Sequence, residues 1–140
     1  MSRRSLNRSR GQTLVEFSLL SVMLVLLMMG VFEMCRMLLV YTTVANAARA
    51  ACRYAVVHGT DGYPVATNAL IQTQVLGYLS AAPVNLANAT VAVGGTGGAG
   101  GPKGFTVSVT VTYPYDPWIL FYTHLLSINI TSTSEGVIVW

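Results

Sequence analysis

The sequence is poor in charged residues. Only 9% of its 140 residues are Asp, Glu, Lys or Arg, against about 25% in a typical soluble domain, whereas 53% are hydrophobic. This shortage indicates a membrane-embedded or densely packed protein. The positive charge is also concentrated, because Arg3, Arg4, Arg8 and Arg10 all precede a long apolar run. Without residues 1–11 the formal charge falls by four, from +3 to −1, which argues against a nucleic-acid-binding body.

Cysteine and histidine are scarce as well, with two residues of each. Cys35 and Cys52 stand 17 positions apart, roughly 25 Å along a straight helix, and a disulfide requires Cα atoms within about 7 Å. An intramolecular disulfide is therefore not expected. Cys52 and His58 would lie on different faces of a helix, which argues against a cysteine hydrolase. Neither His58 nor His124 stands in a metal-ligand spacing. We expect no catalytic activity, cofactor or metal.

A glycine-rich stretch, GGTGGAGG (94–101), formally contains the pattern GxGxxG. In a dinucleotide-binding site a helix must follow, since its amino end binds the pyrophosphate. Here Pro102 and a predicted strand follow, and the Ser or Thr of a phosphate-binding P-loop is missing after Lys103. We therefore expect a flexible hairpin loop.

The longest apolar run extends from Gln12 to Phe32 and contains a single charge, Glu16. Its 21 residues are enough to cross a bilayer as a helix. The arginines before it would keep that end in the cytoplasm, so residues from about Glu33 onwards are expected on the other side. Glu33 and Arg36 are three positions apart and are predicted to form an interfacial ion pair on one helix face.

The helix is predicted to continue beyond the membrane. Residues 37–55 contain neither Pro nor Gly, and the turn-rich GTDGYP (59–64) should end a helix of about 45 residues. Polar residues Asn46, Arg49 and Arg53 fall on another face. The predicted apolar stripe has helical spacing and consists of Met37, Tyr41, Val44, Ala48, Ala51 and Ala55.

The remaining residues predict a short helix followed by a small antiparallel sheet, and hence an α+β fold. The helix is expected within 65–80, with Ala69, Leu70, Val75 and Leu79 among its apolar positions. Strict alternation marks 105–113 as the clearest strand, with Phe105 in it and Pro114 and Pro117 ending it. The other predicted pieces are a short strand at 90–93, a short helix or buried loop at 118–126, and strands at 127–134 and 137–140.

The stretch RGQTLVEF (10–17) can be interpreted in three ways. Glu16 could be an incidental carboxylate that reaches water near the interface. The amino end could be a secretory signal peptide, cut at the A-x-A pattern of residues 45–47, although that pattern lies about 15 residues beyond the uncharged run. Alternatively, the basic leader could be cut after Gly11, so that Gln12 becomes the new amino terminus, four residues from Glu16.

The third interpretation is supported by a family resemblance. Residues 10–36, RGQTLVEFSLLSVMLVLLMMGVFEMCR, resemble the TadE-like pseudopilins of the tight-adherence (Tad, or Flp) pilus system. The shared pattern is a basic leader ending in Gly, then V-E-F, a long apolar run, and a glycine, glutamate and arginine at its end. In this chain these residues are Gly11, Val15, Glu16, Phe17, Gly30, Glu33 and Arg36.

The resemblance implies a pilin-like protein with a cleaved leader (1–11), a transmembrane helix (12–35) and an extracytoplasmic α+β domain (36–140). A prepilin peptidase of the inner membrane would cut between Gly11 and Gln12. The new ammonium would pair with Glu16, usually of a neighbouring subunit. A charge at the bilayer centre costs about 2.5–3.5 kcal/mol on translocon scales, and less near an interface.

The resemblance also implies partners: the Flp pilin, other pseudopilins, and the assembly platform with its ATPase. Nucleic acid is not expected as a partner, because the net positive charge is confined to the leader. The rival expectation is a secreted binding module cut near Ala47, or an uncleaved, membrane-anchored binding or sensor protein.

Overall fold

The computed structural model describes residues 4–117 and 128–139. It confirms the predicted α+β class, a long amino-terminal helix followed by an antiparallel three-stranded sheet. The chain divides into two units, Met1–Cys35 and Arg36–Trp140. The helices are α1 (Arg4–Val57) and α2 (Asn68–Leu79), with a single 3₁₀ turn at Leu86–Asn88, and the strands are β1 (Thr90–Gly94), β2 (Thr106–Tyr115) and β3 (Ile128–Val137).

Helix α1 is continuous over 54 residues, as the absence of proline predicts. It begins eight positions before Gln12, since part of the basic leader is also helical. It ends at Val57, just before the turn-rich stretch predicted to stop it. The predicted long helix is thus confirmed, and it is extended at its amino end.

The apolar stripe of α1 packs into the core of the second unit. Val44, Ala48, Ala51 and Ala55 are fully buried, as predicted. The prediction is wrong at Tyr41, which is 54% exposed, whereas Val40 is 2% exposed. Both positions lie equally far from the centre of the stripe, so periodicity alone does not choose between them.

Tertiary contacts explain why Val40 is buried and Tyr41 is exposed at the start of the stripe. Val40 belongs to the same buried core cluster as Tyr113 and Tyr115 of β2, so the sheet covers it. Tyr41 borders Ile128 at the edge of the sheet, where it remains accessible.

Helix α2 begins where Thr67 caps it, with its hydroxyl accepting a hydrogen bond from Leu70 N at 3.3 Å. Such a side chain satisfies one of the orphan amides at a helix start. The helix buries Ile71, Val75 and Leu79, which follow one another at one-turn spacing. The predicted helix and two of its apolar positions are confirmed. Ala69 and Leu70 were predicted incorrectly, because both are exposed.

The sheet has the order β1-β2-β3 and is antiparallel throughout. Its inner face carries the alternating residues of β2 that the sequence predicted, and these are buried: Val107, Val109, Val111 and Tyr113. Phe105 was placed in this strand incorrectly, since β2 begins at Thr106 and Phe105 is 46% exposed. The outer face is rich in threonine, and Thr110 and Thr112 exchange hydroxyl hydrogen bonds with Thr133 and Thr131.

Pro114 does not end β2, contrary to the prediction. The strand continues to Tyr115, and Pro114 pairs with Asn129 of β3. The other neighbour, β1, pairs with β2 only as far as Thr112. Pro114 therefore lies where one side of β2 is an open edge, and a residue without an N–H is tolerated there.

The glycine-rich stretch connects β1 to β2, which confirms the predicted hairpin. Its glycines also have a packing role that the predicted flexible loop did not include. Gly95 has φ +93°, and a Cβ there would lie 2.5 Å from the carbonyl oxygen of Thr106. A Cβ on Gly100 would lie 2.6 Å from the carbonyl oxygen of Ala66. Thr60 holds the loop by donating from N and Oγ1 to the carbonyls of Gly101 and Gly100.

The strand predicted at 127–134 is confirmed as β3 from its first described residue, Ile128, and it continues to Val137. Of the strand predicted at 137–140, only Val137 belongs to β3, and buried Ile138 follows it, donating its N–H to the carbonyl of Phe105 at 2.9 Å. The predicted helix or loop at 118–126 and the last residue of 137–140 lie outside the described residues.

Candidate functional site

The predicted cleavage site lies inside helix α1. Gly11, Gln12 and Glu16 are all helical and exposed. Gln12 and Glu16 are one turn apart, a spacing that places residues on the same helix face. A Cβ built on Gly11 meets nothing within 4 Å, so the described fold does not itself require glycine there. A glycine inside a helix lowers its stability relative to alanine, so a requirement for Gly11 would have to come from a partner.

The apolar run of α1 presents its side chains outward. Every large hydrophobic residue from Leu14 to Phe32 is exposed, and Phe17 is 71% exposed. The helix from Gly11 to Val57 is long and apolar enough to cross a membrane, with a mean hydropathy of 2.4 in its most apolar window and none of that window buried. This property supports a membrane anchor.

Two serine hydroxyl groups in this run bond to the helix itself. Ser18 Oγ donates to the carbonyl of Val15, and Ser21 Oγ donates to the carbonyl of Ser18, both at 2.8 Å. A polar group satisfied in this way is compatible with lipid, where unsatisfied groups are costly.

A second glycine of the motif, Gly30, is equally free of steric constraint, with nothing within 4 Å of a built Cβ. Small residues in membrane helices allow another helix to approach closely. Gly30 therefore offers a contact point that the described fold leaves open.

Arg36 joins α1 to the end of β2. Its Nε donates to the hydroxyl of Tyr115 at 3.0 Å, and its Nη2 donates to the carbonyl of Asp116 at 2.7 Å. The guanidinium carbon also lies 4.9 Å from the centroid of the Tyr115 ring, within the range of a cation–π contact. No local sequence pattern predicts these bonds, because the partners are 79 and 80 positions away.

A polar cavity of about 300 Å³ adjoins Arg36. Tyr113 also lines it, and its hydroxyl accepts a hydrogen bond from the backbone N–H of Asn85 at 3.1 Å. The tyrosines at 113 and 115 thus tie the same end of β2 to two different parts of the domain. The predicted Glu33–Arg36 ion pair remains a prediction.

The remaining candidate groups that the structure describes do not assemble into a reactive centre. Cys35 is exposed, Cys52 is buried, and both thiols are free. The ring of His58 stacks on Tyr54 with centroids 4.1 Å apart, and its Nδ1 lies 2.9 Å from the Tyr54 carbonyl. Within residues 4–117 and 128–139, no group of three His, Cys, Asp or Glu side chains could hold a metal ion. His124 lies outside these ranges.

The described features define a class of protein, a small α+β domain whose first helix extends as a long, exposed apolar segment. Residues 11–53 match the protein family described as "TadE-like protein". The resemblance predicted from the sequence is confirmed over these residues, which associates the chain with the Tad pilus machinery in general. No curated protein and no solved structure matches the chain.

Proposed function

We propose that the protein is a TadE-like minor pseudopilin, which a prepilin peptidase cuts between Gly11 and Gln12 and which then takes part in assembly or export of a Flp pilus. The supporting observation is the family match, which begins at Gly11 and covers the whole exposed apolar segment. In this role the chain is a substrate of the peptidase and not itself an enzyme. Its partners would be the Flp pilin, other pseudopilins, and the assembly platform with its ATPase.

Glu16 would act as the assembly contact. Cleavage would leave an ammonium on Gln12 near the carboxylate of Glu16, in a segment otherwise made of exposed apolar side chains. A charge in lipid favours any arrangement that neutralises it. Subunits would therefore dock so that the amine of one chain pairs with the carboxylate of its neighbour.

The protein would sit in the inner membrane with its amino terminus in the cytoplasm and the Arg36–Trp140 unit outside. Lys103 is exposed in that unit, so Lys103→Cys in a Cys35→Ser background provides a reporter. A membrane-impermeant maleimide should label it in intact spheroplasts as strongly as after lysis. Labelling only after lysis would contradict this orientation.

Intact-mass measurement of the protein purified from membranes tests the processing step. Loss of residues 1–11 is expected. Loss through about Ala47 would instead indicate ordinary signal peptidase and a secreted binding module, and no loss would indicate an uncleaved membrane-anchored binding or sensor protein.

A matched pair of variants adds to this test. Gly11→Leu should block processing, whereas Gly30→Leu, also on an open helix position, should still be cut. Unchanged processing and pilus formation in Gly11→Leu would overturn the proposal.

A further inference from the structure

Strand β3 forms an edge of the sheet that no other described strand covers. Among the described residues it pairs only with β2, through ten uninterrupted residue pairs from Ile128 to Val137. From Ile128 to Val137 its other side makes no backbone hydrogen bond to any described residue, whereas Val139, just beyond the strand, donates its N–H to the carbonyl of Val56 at 3.1 Å. Natural edge strands are usually kept short, bulged, or supplied with proline or lysine. The opposite edge, β1, has only five residues, whereas β3 is long and contains neither proline nor lysine.

A groove of about 350 Å³ runs between this edge and helix α1. We call it the β3 groove. Its walls include Cys52 and Val56 of the helix and Gly136 of the strand. A Cβ on Gly136 would lie 2.6 Å from Cγ2 of Val56, so the absence of a side chain there brings helix and strand together.

Two arginines border the β3 groove without an acidic partner. Arg49 and Arg53 are exposed and line it. Neither has a hydrogen bond or an ion pair among the residues that the structure describes. Glu135 also lines the groove, but it alternates with Ser134 and Gly136 and belongs to the outer face of the sheet. The side of the groove next to α1 is therefore cationic.

The geometry points to an extended segment of another protein as the occupant, added as a fourth strand beside β3 and carrying two acidic residues at alternate positions. Strand addition would satisfy the open backbone groups of β3. Arg49 and Arg53 are four helical residues apart, a rise of about 6 Å. Alternate residues of a strand point to the same face and are about 6.7 Å apart. Two carboxylates spaced as acid-x-acid would thus face one arginine each.

A second copy of this chain does not supply such a segment. Its five acidic residues stand at positions 16, 33, 61, 116 and 135, and no two of them are two positions apart. The partner is therefore a different protein. The inference does not depend on processing at Gly11, because the β3 groove lies wholly within the Arg36–Trp140 unit.

Peptide binding to the full-length protein in nanodiscs tests the inference, with fluorescence anisotropy as the measurement. The probe is a fluorescein-labelled peptide of sequence STVEVEVTS. The first control replaces both acids with lysine, and the second carries N-methyl groups on alternate backbone amides. We expect the acidic peptide to bind at least about tenfold more tightly than either control, corresponding to about 1.4 kcal/mol.

Charge-reversal variants locate the binding site. Arg49→Glu combined with Arg53→Glu should reverse the preference, so that the lysine peptide binds better. Lys103→Glu, which reverses an exposed charge outside the groove, should leave binding of the acidic peptide unchanged.

The inference would be overturned if the acidic peptide showed no saturable binding or if the N-methylated peptide bound as tightly as the acidic peptide. It would also be overturned if Lys103→Glu reduced binding of the acidic peptide as much as the double arginine reversal does. Self-association of the protein that the Arg49 and Arg53 reversals abolish would assign the edge to a second copy and would likewise contradict a foreign acidic strand.

Discussion

Nε of Arg36 donates a hydrogen bond to the hydroxyl of Tyr115, 3.0 Å away and 79 positions further along the chain. Arg36 begins the second unit, and Tyr115 is the last residue of β2. The contact therefore fixes the start of the helical part of the domain to one end of its central strand.

Removal of this hydroxyl should destabilise the domain. Tyr115→Phe keeps the buried ring but leaves Arg36 Nε without its bond, and hydrogen bonds to charged groups contribute more than neutral ones. We expect the free energy of unfolding to fall by about 1–2 kcal/mol, measured by urea-dependent proteolysis of the full chain in detergent. Tyr113→Phe is the matched control, because among the described residues its hydroxyl accepts from a neutral group, the N–H of Asn85. An effect of Tyr113→Phe as large as that of Tyr115→Phe would contradict the role of the charge.

Close packing of α1 on β3 makes Gly136 sensitive to substitution. A side chain there meets Val56 Cγ2 at 2.6 Å and Cys52 Sγ at 3.4 Å. Gly136→Val should lower the free energy of unfolding by about 1–3 kcal/mol through overpacking. Gly77→Ala provides the control, since Gly77 lies in α2 with nothing within 4 Å, and it should raise stability by about 0.5–1 kcal/mol. An unchanged free energy of unfolding in Gly136→Val would mean that helix and strand can move apart without loss of stability, which would contradict the close packing.

Substitution of Gly30 should affect the stability of the isolated subunit and the formation of pili in opposite directions. Gly30→Ala adds a methyl group that meets nothing within 4 Å, so helix stability in the isolated subunit should rise by roughly 0.5–1 kcal/mol. The measurement is thermal loss of circular dichroism in detergent. The fraction of cells that carry pili should nevertheless fall, because the added methyl group would obstruct another helix packing against this position. Reduced stability of the isolated variant would reveal an internal contact instead.

The role of Glu16 can be tested with an isosteric change. Glu16→Gln removes the negative charge that the amine of Gln12 would need, so we expect at least a tenfold loss of pili counted by electron microscopy. Glu16→Asp retains the charge and should retain a larger share of pili. The amount of membrane-bound protein must be measured alongside the number of pili. The number of pili should fall while the amount of subunit stays unchanged. Normal piliation in Glu16→Gln would remove the basis for an assembly contact.

Much of the fold could be predicted because its signals are local. The long helix follows from an unbroken run without proline, the central strand from strict alternation, and the turn after Val57 from GTDGYP. Errors occurred where a second element decides the outcome. Pro114 stays within β2 because β1 stops at Thr112, and Val40 rather than Tyr41 is buried because the sheet covers that side of the helix.

The candidate site likewise contains residues that could be predicted from the sequence and others that could not. Gly11, Glu16, Gly30, Glu33 and Arg36 could be selected as candidates because they belong to one contiguous sequence motif. The partners of Arg36 and the β3 groove could not be selected, because they join residues from distant parts of the chain.

The sequence alone therefore determined the apolar helix, the carboxylate near its start and the alternation of the main strand, since each depends on neighbouring residues and on the periods of helix and strand. The tertiary structure alone decided that Val40 rather than Tyr41 is buried, what holds Arg36, and which sheet edge the described residues leave open beside Arg49 and Arg53. These properties arise from contacts between segments far apart in the chain, and no local period encodes them.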